Sequence, residues 1–127
     1  MLQFVSYTKN KRMPYPYAEL TLQERSQLVA KIKKKYPSCR PVLVDMLGKN
    51  IPRRKYLVPE TVSLSRLLYS IRQENKLNEY EGVFLFVDSC LLSMSQTISE
   101  AYSRHANRDG FLYVTIALEN TFGEKIQ

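Results

Sequence analysis

The sequence predicts a two-layer α+β domain with one extra helix in front of it. Three observations lead there. The 127 residues are the length of one domain, and 44% hydrophobic with 24% charged residues is ordinary globular usage. Apolar stripes at helical spacing alternate with short runs rich in Val, Leu, Phe and Tyr. After the first helix the order reads strand, strand, helix, strand, helix, strand, and a hairpin, a crossing helix and further strands in one sheet make an α+β arrangement.

Residues 1–20 read as a tethered arm. Lys9, Lys11 and Arg12 precede Pro14–Tyr15–Pro16–Tyr17. Two prolines one residue apart fix φ and withhold backbone donors, so extended chain or a turn is expected. Phe4, Tyr7, Tyr15 and Tyr17 are free to pack on the body or on a partner, with packing on the body the simpler expectation.

A helix starts near Thr21, where Thr21–Leu22–Gln23–Glu24 has the form of a capping box. Leu28, Val29, Ile32 and Tyr36 form its apolar stripe. Lys31, Lys33, Lys34 and Lys35 gather toward its end, where cations favour the negative pole of the helix dipole, and Pro37 stops it. Arg40–Asp45 reads as a strand, with its proline suited to a strand start or an edge. Gly48–Lys49–Asn50 supplies a turn, and Lys55–Pro59 reads as a second strand paired with the first as a hairpin.

Leu64, Leu67, Leu68 and Ile71 then mark a helix over Ser63–Gln73, with Ser63 as N-cap. Val83–Val87 is a continuous apolar run of the kind expected in a strand buried on both faces. A helix over roughly Gln96–Ala106 follows, with Ser95 as a cap candidate and Ile98, Ala101 and Tyr102 as its stripe. Asp109–Gly110 is a turn, and Leu112–Leu118 is the last strand. The expected division is an arm over 1–20, one domain over 21–119 and a tail over 120–127. No internal repeat is present. The whole order is that of a ubiquitin-like β-grasp with an additional N-terminal helical arm.

Charge narrows the function. Lys and Arg number 19 against 12 Asp and Glu, a formal net charge of +7. Residues 1–55 hold 13 of the cations and only 3 of the carboxylates, leaving the second half mildly acidic. A basic half points to an acidic partner such as a peptide, a phospholipid surface or a nucleic acid, although a solvated basic face satisfies the same count. No run approaches the ~18 apolar residues of a membrane span, and Met1–Val5 lacks the basic start and apolar stretch of a secretory signal. Cys39 and Cys90 are too few for a disulfide scaffold, so free thiols in a reducing cytosol are expected.

Catalytic patterns are sparse. His105 stands alone as a histidine, with no good metal ligands close to it in sequence. A Cys–His nucleophile would need Cys39 or Cys90 in an electropositive pocket beside it, and structural thiols are the commoner case. Neither GxxxxGK[ST] nor GxGxxG occurs among only four glycines. The expectation is no enzyme, no metal and no cofactor. Nucleic-acid binding through Lys31–Lys35 lacks an RRM-type motif, and the lysines already have a reason at the helix end. No nucleic-acid partner is expected.

Several segments converge on a family. In order they are Lys35–Tyr36–Pro37, Pro41–Val42–Leu43–Val44, Lys55–Tyr56–Leu57–Val58–Pro59, Phe84–Leu85–Phe86–Val87, Asp109–Gly110–Phe111–Leu112–Tyr113–Val114 and Glu119–Asn120–Thr121–Phe122–Gly123. Over about residues 21–123 the chain resembles the ubiquitin-like autophagy modifiers, the group that includes GABARAP. The resemblance implies a cut after Gly123 by a dedicated cysteine protease, removing Glu124–Gln127. Activating and conjugating enzymes then pass the carboxylate on as a thioester. It ends in an amide with phosphatidylethanolamine on autophagosomal membranes. Before conjugation such a protein is a cytoplasmic monomer. Gly123 suits the cut because a residue without Cβ threads a narrow channel; Phe122 precedes it as an aromatic anchor.

The resemblance also implies strand addition of a short peptide to the Lys55–Pro59 edge. The peptide motif is an aromatic, two intervening residues and an aliphatic, carried by cargo receptors. By position, Ile32, Pro41, Leu43, Leu57 and Phe111 match the pocket for the aromatic. Tyr56, Val58, Pro59, Val62 and Leu67 match the pocket for the aliphatic. Arg54 and Lys55 suit acidic residues flanking the motif. The chain departs from the family at Leu22, Leu28 and Cys39, has Leu92–Ser93 for a frequent Pro–Pro, and has a short Met46–Pro52 connection and a long arm. Leu28 favours apolar contact over charge pairing at the aromatic pocket. The rival expectation is a β-grasp adaptor that binds peptides or microtubules and is never conjugated.

Overall fold

Thr21 starts α1 (Leu22–Lys35) as the capping box requires: the Glu24 amide donates to Thr21 Oγ1 at 3.1 Å, and the Thr21 amide donates to Glu24 Oε1 at 2.8 Å. Lys33, Lys34 and Lys35 lie in its last turn, and Pro37 follows the cap residue Tyr36. In the computed structural model, residues 15–47, 52–78 and 81–119 are described. The expected turn at Gly48–Lys49–Asn50 lies outside them, as do Phe122 and Gly123.

Then come β1 (Cys39–Leu47), β2 (Arg54–Pro59), α2 (Leu64–Glu74), β3 (Val83–Val87), β4 (Cys90–Leu91), α3 (Ile98–His105) and β5 (Leu112–Leu118). The sheet order is β2-β1-β5-β3-β4. The central pair β1–β5 is parallel, and the other pairings are antiparallel. This is the ubiquitin-like α+β sheet that the element order predicts.

Side chains alternate along β1 and divide the core in two. Val42, Val44 and Met46 face the main cluster with Leu64, Leu67 and Ile71 of α2, Ile98 and Ala101 of α3, and Leu112, Val114 and Ile116 of β5. Leu43 points the other way and packs with Val29 of α1 and Phe111, supported by Tyr15, Tyr17, Leu28 and Tyr113. The helix α1 therefore covers one face of the sheet while α2 and α3 cover the other.

A buried carboxylate fastens α1 to the sheet. Asp109 is 1% exposed. It accepts from Arg25 Nε at 2.9 Å, from the Phe111 amide at 2.9 Å and from the Tyr113 hydroxyl at 2.6 Å. Burial, then the hydrogen bond to Asp109, pushes the Tyr113 phenol up to about 12. Gly110 follows with φ +93°, and a Cβ there would meet Val29 Cγ1 at 2.6 Å. Glycine is thus required both by the backbone and by the close approach of α1.

Three expectations are corrected. The third helix begins at Ile98 with Thr97 as its cap, not Ser95. Thr97 Oγ1 accepts from the Glu100 amide, Glu100 reaches back to the Thr97 amide, and Ser95 instead pairs with Ser93 Oγ. The strand β3 is not buried on both faces. Leu85 and Val87 are 1% exposed and face the main core, while Phe84 on the other face is 36% exposed. The two-residue strand β4 was not anticipated. Asp88 (φ +52°) and Ser89 (φ +64°) turn β3 back onto it as a tight hairpin with both central residues left-handed.

Candidate functional site

Because β2 is the outermost strand at its end of the sheet, one margin of its backbone is unpaired within the sheet. Its side chains alternate between the two faces. Tyr56 and Val58 join the main core, while Lys55 and Leu57 lie on the α1 side. The edge is therefore flanked by different surfaces on its two sides.

On the α1 side is a cavity of about 330 Å³ lined by Tyr17, Ile32, Tyr36, Pro41, Lys55, Tyr56, Leu57 and Phe111. Ile32 comes from the stripe of α1, Pro41 from β1, Leu57 from β2, and Phe111 from the turn before β5. The structure thus brings together four of the five residues assigned to an aromatic pocket. Leu43 departs from that assignment: it is fully buried in the cluster with Val29 and Phe111 and is not among the residues lining this cavity. Leu28 likewise packs against this cluster.

Two lining residues were not foreseen at the site. Tyr36 closes the α1 stripe and is 43% exposed. Tyr17 comes from the arm: its ring stacks on Phe111, with centroids 5.8 Å apart and planes 18° from parallel. Lys55 Nζ donates to the Tyr17 hydroxyl at 2.8 Å and lies 4.9 Å from the ring centroid. Tyr15 meets Tyr113 edge-on at 5.1 Å. The arm residues nearest the domain thus pack on the body, as the run of aromatics allows.

A second cavity of about 330 Å³ is lined by Pro16, Arg53, Arg54, Lys55, Tyr56 and Glu74. Arg53 is paired with the buried Asp45, Nε to Oδ1 at 3.2 Å, and its guanidinium lies 4.5 Å from the Tyr15 ring centroid. Arg54 and Lys55 are exposed there, giving the edge a positive potential suited to a carboxylate.

The side facing α2 is more closed. Val58 (6% exposed) and Leu67 (4% exposed) belong to the main core, with Val62 partly buried against it and Pro59 exposed. Tyr56 is half-buried and its hydroxyl donates to Glu74. Burial first, and Glu74 second, push its phenol up to about 12. Of the residues assigned to an aliphatic pocket, Tyr56, Val58, Val62 and Leu67 thus share the main-core side of β2, Pro59 alternates to the other side at the strand end, and Val58 and Leu67 offer little surface.

Cys39 and Cys90 are free thiols. His105 Nδ1 lies 3.6 Å from Asp88 Oδ2. Among the described residues, no group of three or more His, Cys, Asp and Glu is placed to hold a metal ion. Also among them, no helix is long and apolar enough to cross a membrane. An edge strand, an apolar cavity and adjacent cations are the equipment of a peptide-binding surface.

Known proteins give the context. The family model described as autophagy protein Atg8, ubiquitin-like, matches residues 24–123. The chain is 37% identical over 105 residues to autophagy-related protein 8e of Arabidopsis thaliana, covering 80% of this chain and 86% of the relative. It is 34% identical over 109 residues to autophagy-related protein 8 of Schizosaccharomyces pombe, covering 83% and 90%. The crystal structure of Trypanosoma brucei ATG8 superposes with a TM-score of 0.73 at 23% identity, covering 82% of this chain and 94% of that one.

Proposed function

The chain belongs to the Atg8 family of ubiquitin-like autophagy proteins, and on that premise we propose that it is cut after Gly123 and joined there to phosphatidylethanolamine. The observation that carries this reading is the family match, which runs to residue 123 and leaves Glu124–Gln127 beyond it. Hydrolysis of the Gly123–Glu124 peptide bond frees the Gly123 carboxylate. Activating and conjugating enzymes carry it as a thioester to the lipid amine, and the chain performs no catalysis of its own. The division that serves this is an arm over 1–20, a ubiquitin-like domain over 21–119 and a processing tail over 120–127. The protein is a cytoplasmic monomer until conjugation places it on autophagosomal membranes.

There it binds receptor segments of the form aromatic-x-x-aliphatic. The segment adds as a strand along β2. Its aromatic enters the cavity of Ile32, Pro41, Leu57 and Phe111, and Arg54 and Lys55 meet flanking carboxylates. The aliphatic rests on Tyr56, Val58, Pro59, Val62 and Leu67. Since Val58 and Leu67 are nearly closed, the second contact is the shallower one.

Incubation with a processing protease of this family should shorten the chain by Glu124–Gln127. Gly123→Ala should block the cut and the conjugation that follows it. Normal lipidation of that variant would contradict the reading. Cleavage without any lipid attachment would favour the unconjugated adaptor.

A further inference from the structure

We propose that Tyr17 of the arm is a specificity-determining wall of the aromatic pocket, selecting an aromatic over an aliphatic anchor in an acidic-flanked peptide. The inference rests on the peptide-binding reading of the site and adds a residue to it.

Tyr17 is held in place at a conformational cost. Its φ is +67°, in the left-handed region that bulky residues rarely occupy. Local bonds support the turn: the Ala18 amide donates to the Tyr15 carbonyl at 3.1 Å, and the Leu20 amide donates to the Tyr17 carbonyl at 3.1 Å. The ring is then fixed from two directions, by Phe111 beneath and by Lys55 at the hydroxyl. Phe111 itself is only 1% exposed, and Tyr17 lines the cavity beside it. An incoming side chain therefore finds Tyr17 on the arm side of the cavity and little free surface on Phe111.

The cavity keeps about 330 Å³ with Tyr17 in position, within the usual range for ligand pockets. Tyr17 is therefore a wall of a usable pocket and not a plug in it. A fixed ring offers a stacking or edge contact that an aliphatic anchor cannot match in kind. Because the ring is ordered before binding, little conformational freedom is lost when the contact forms. The hydroxyl also holds the Lys55 ammonium at the mouth, which suits a carboxylate beside the anchor.

The test uses the full chain and two synthetic acidic-flanked peptides, identical except for Trp or Leu at the anchor position. Wild type should prefer the Trp peptide. Tyr17→Ala should weaken Trp-peptide binding roughly two- to tenfold, the size of an aromatic pair contact, and leave the Leu peptide nearly unchanged. Tyr17→Phe, which keeps the ring, should retain the preference. Equal loss for both peptides would overturn the inference by making Tyr17 a structural support. Unchanged or tighter Trp-peptide binding in Tyr17→Ala would overturn it by making Tyr17 dispensable or a plug. If wild type bound neither peptide, the site reading itself would fail and take this inference with it.

Discussion

Replacing Asp109 by alanine should loosen α1 from the sheet, and the structure sets the scale. Three donors converge on this carboxylate: the Arg25 guanidinium, the Phe111 amide and the Tyr113 hydroxyl. The carboxylate is buried, while the Arg25 side chain keeps 21% of its surface. Leaving the Phe111 amide unpaired costs about 1–3 kcal/mol. Breaking a buried ion pair costs about 3–5 kcal/mol, but Arg25 can regain water and still donates to the Leu20 carbonyl. The lower end, about 3 kcal/mol in total, is therefore expected. That is a large share of the roughly 5–15 kcal/mol of a typical domain. With a urea m-value of about 1–3 kcal/mol per molar, the midpoint should fall by about 1–3 M. Equilibrium urea unfolding checks it, and Arg25→Ala combined with Asp109→Ala tests the coupling. A loss below about 1 kcal/mol, typical of an ordinary hydrogen bond, would refute the idea that this cluster anchors α1.

Three further outcomes are expected. Gly110→Ala should destabilise by at least about 1 kcal/mol, because its Cβ would press on Val29 at a left-handed φ; thermal unfolding reads the loss. Thr97→Ala should cost about 1 kcal/mol through the lost cap while Ser95→Ala costs little, a contrast that denaturant midpoints resolve. Tyr56 and Tyr113 hold their protons to about 12 when folded, against 10.0 when unfolded. Their contribution to stability is full below pH 10 and is lost as pH rises toward 12, because the unfolded state releases its protons first. Tyr113→Phe should flatten part of that alkaline loss, measured by denaturation across the range.

Local signals made most of the fold legible. The Thr21 capping box, the heptad-like leucines of α2 and the β-branched run of β5 each determine an element with contacts close in sequence. Local signals fall short where a stronger neighbour or a distant contact decides. Thr97–Glu100 is as good a capping box as Thr21–Glu24, yet Ser95 lies close by and its engagement with Ser93 is invisible in sequence. The run Val83–Val87 carries no polar alternation, so nothing in it says that Phe84 faces away from the main core. In β4, two residues have no period to read. At the site, Ile32, Pro41, Leu57 and Phe111 were reachable through the family motifs. Tyr17 was not, because its place depends on a left-handed turn and on Phe111, far along the chain. Leu43 shares the strand face of Pro41 but is fully buried with Val29 and Phe111, contacts distant in sequence that its position in the motif does not reveal.

The proposed function requires that the chain be cut after Gly123 and carry a lipid there. Intact-mass measurement of the protein from cells, separated into membrane and soluble fractions, tests it most directly. The membrane fraction should show the chain without residues 124–127 and with the added mass of a phosphatidylethanolamine. Full-length, unmodified protein in both fractions would contradict the claim.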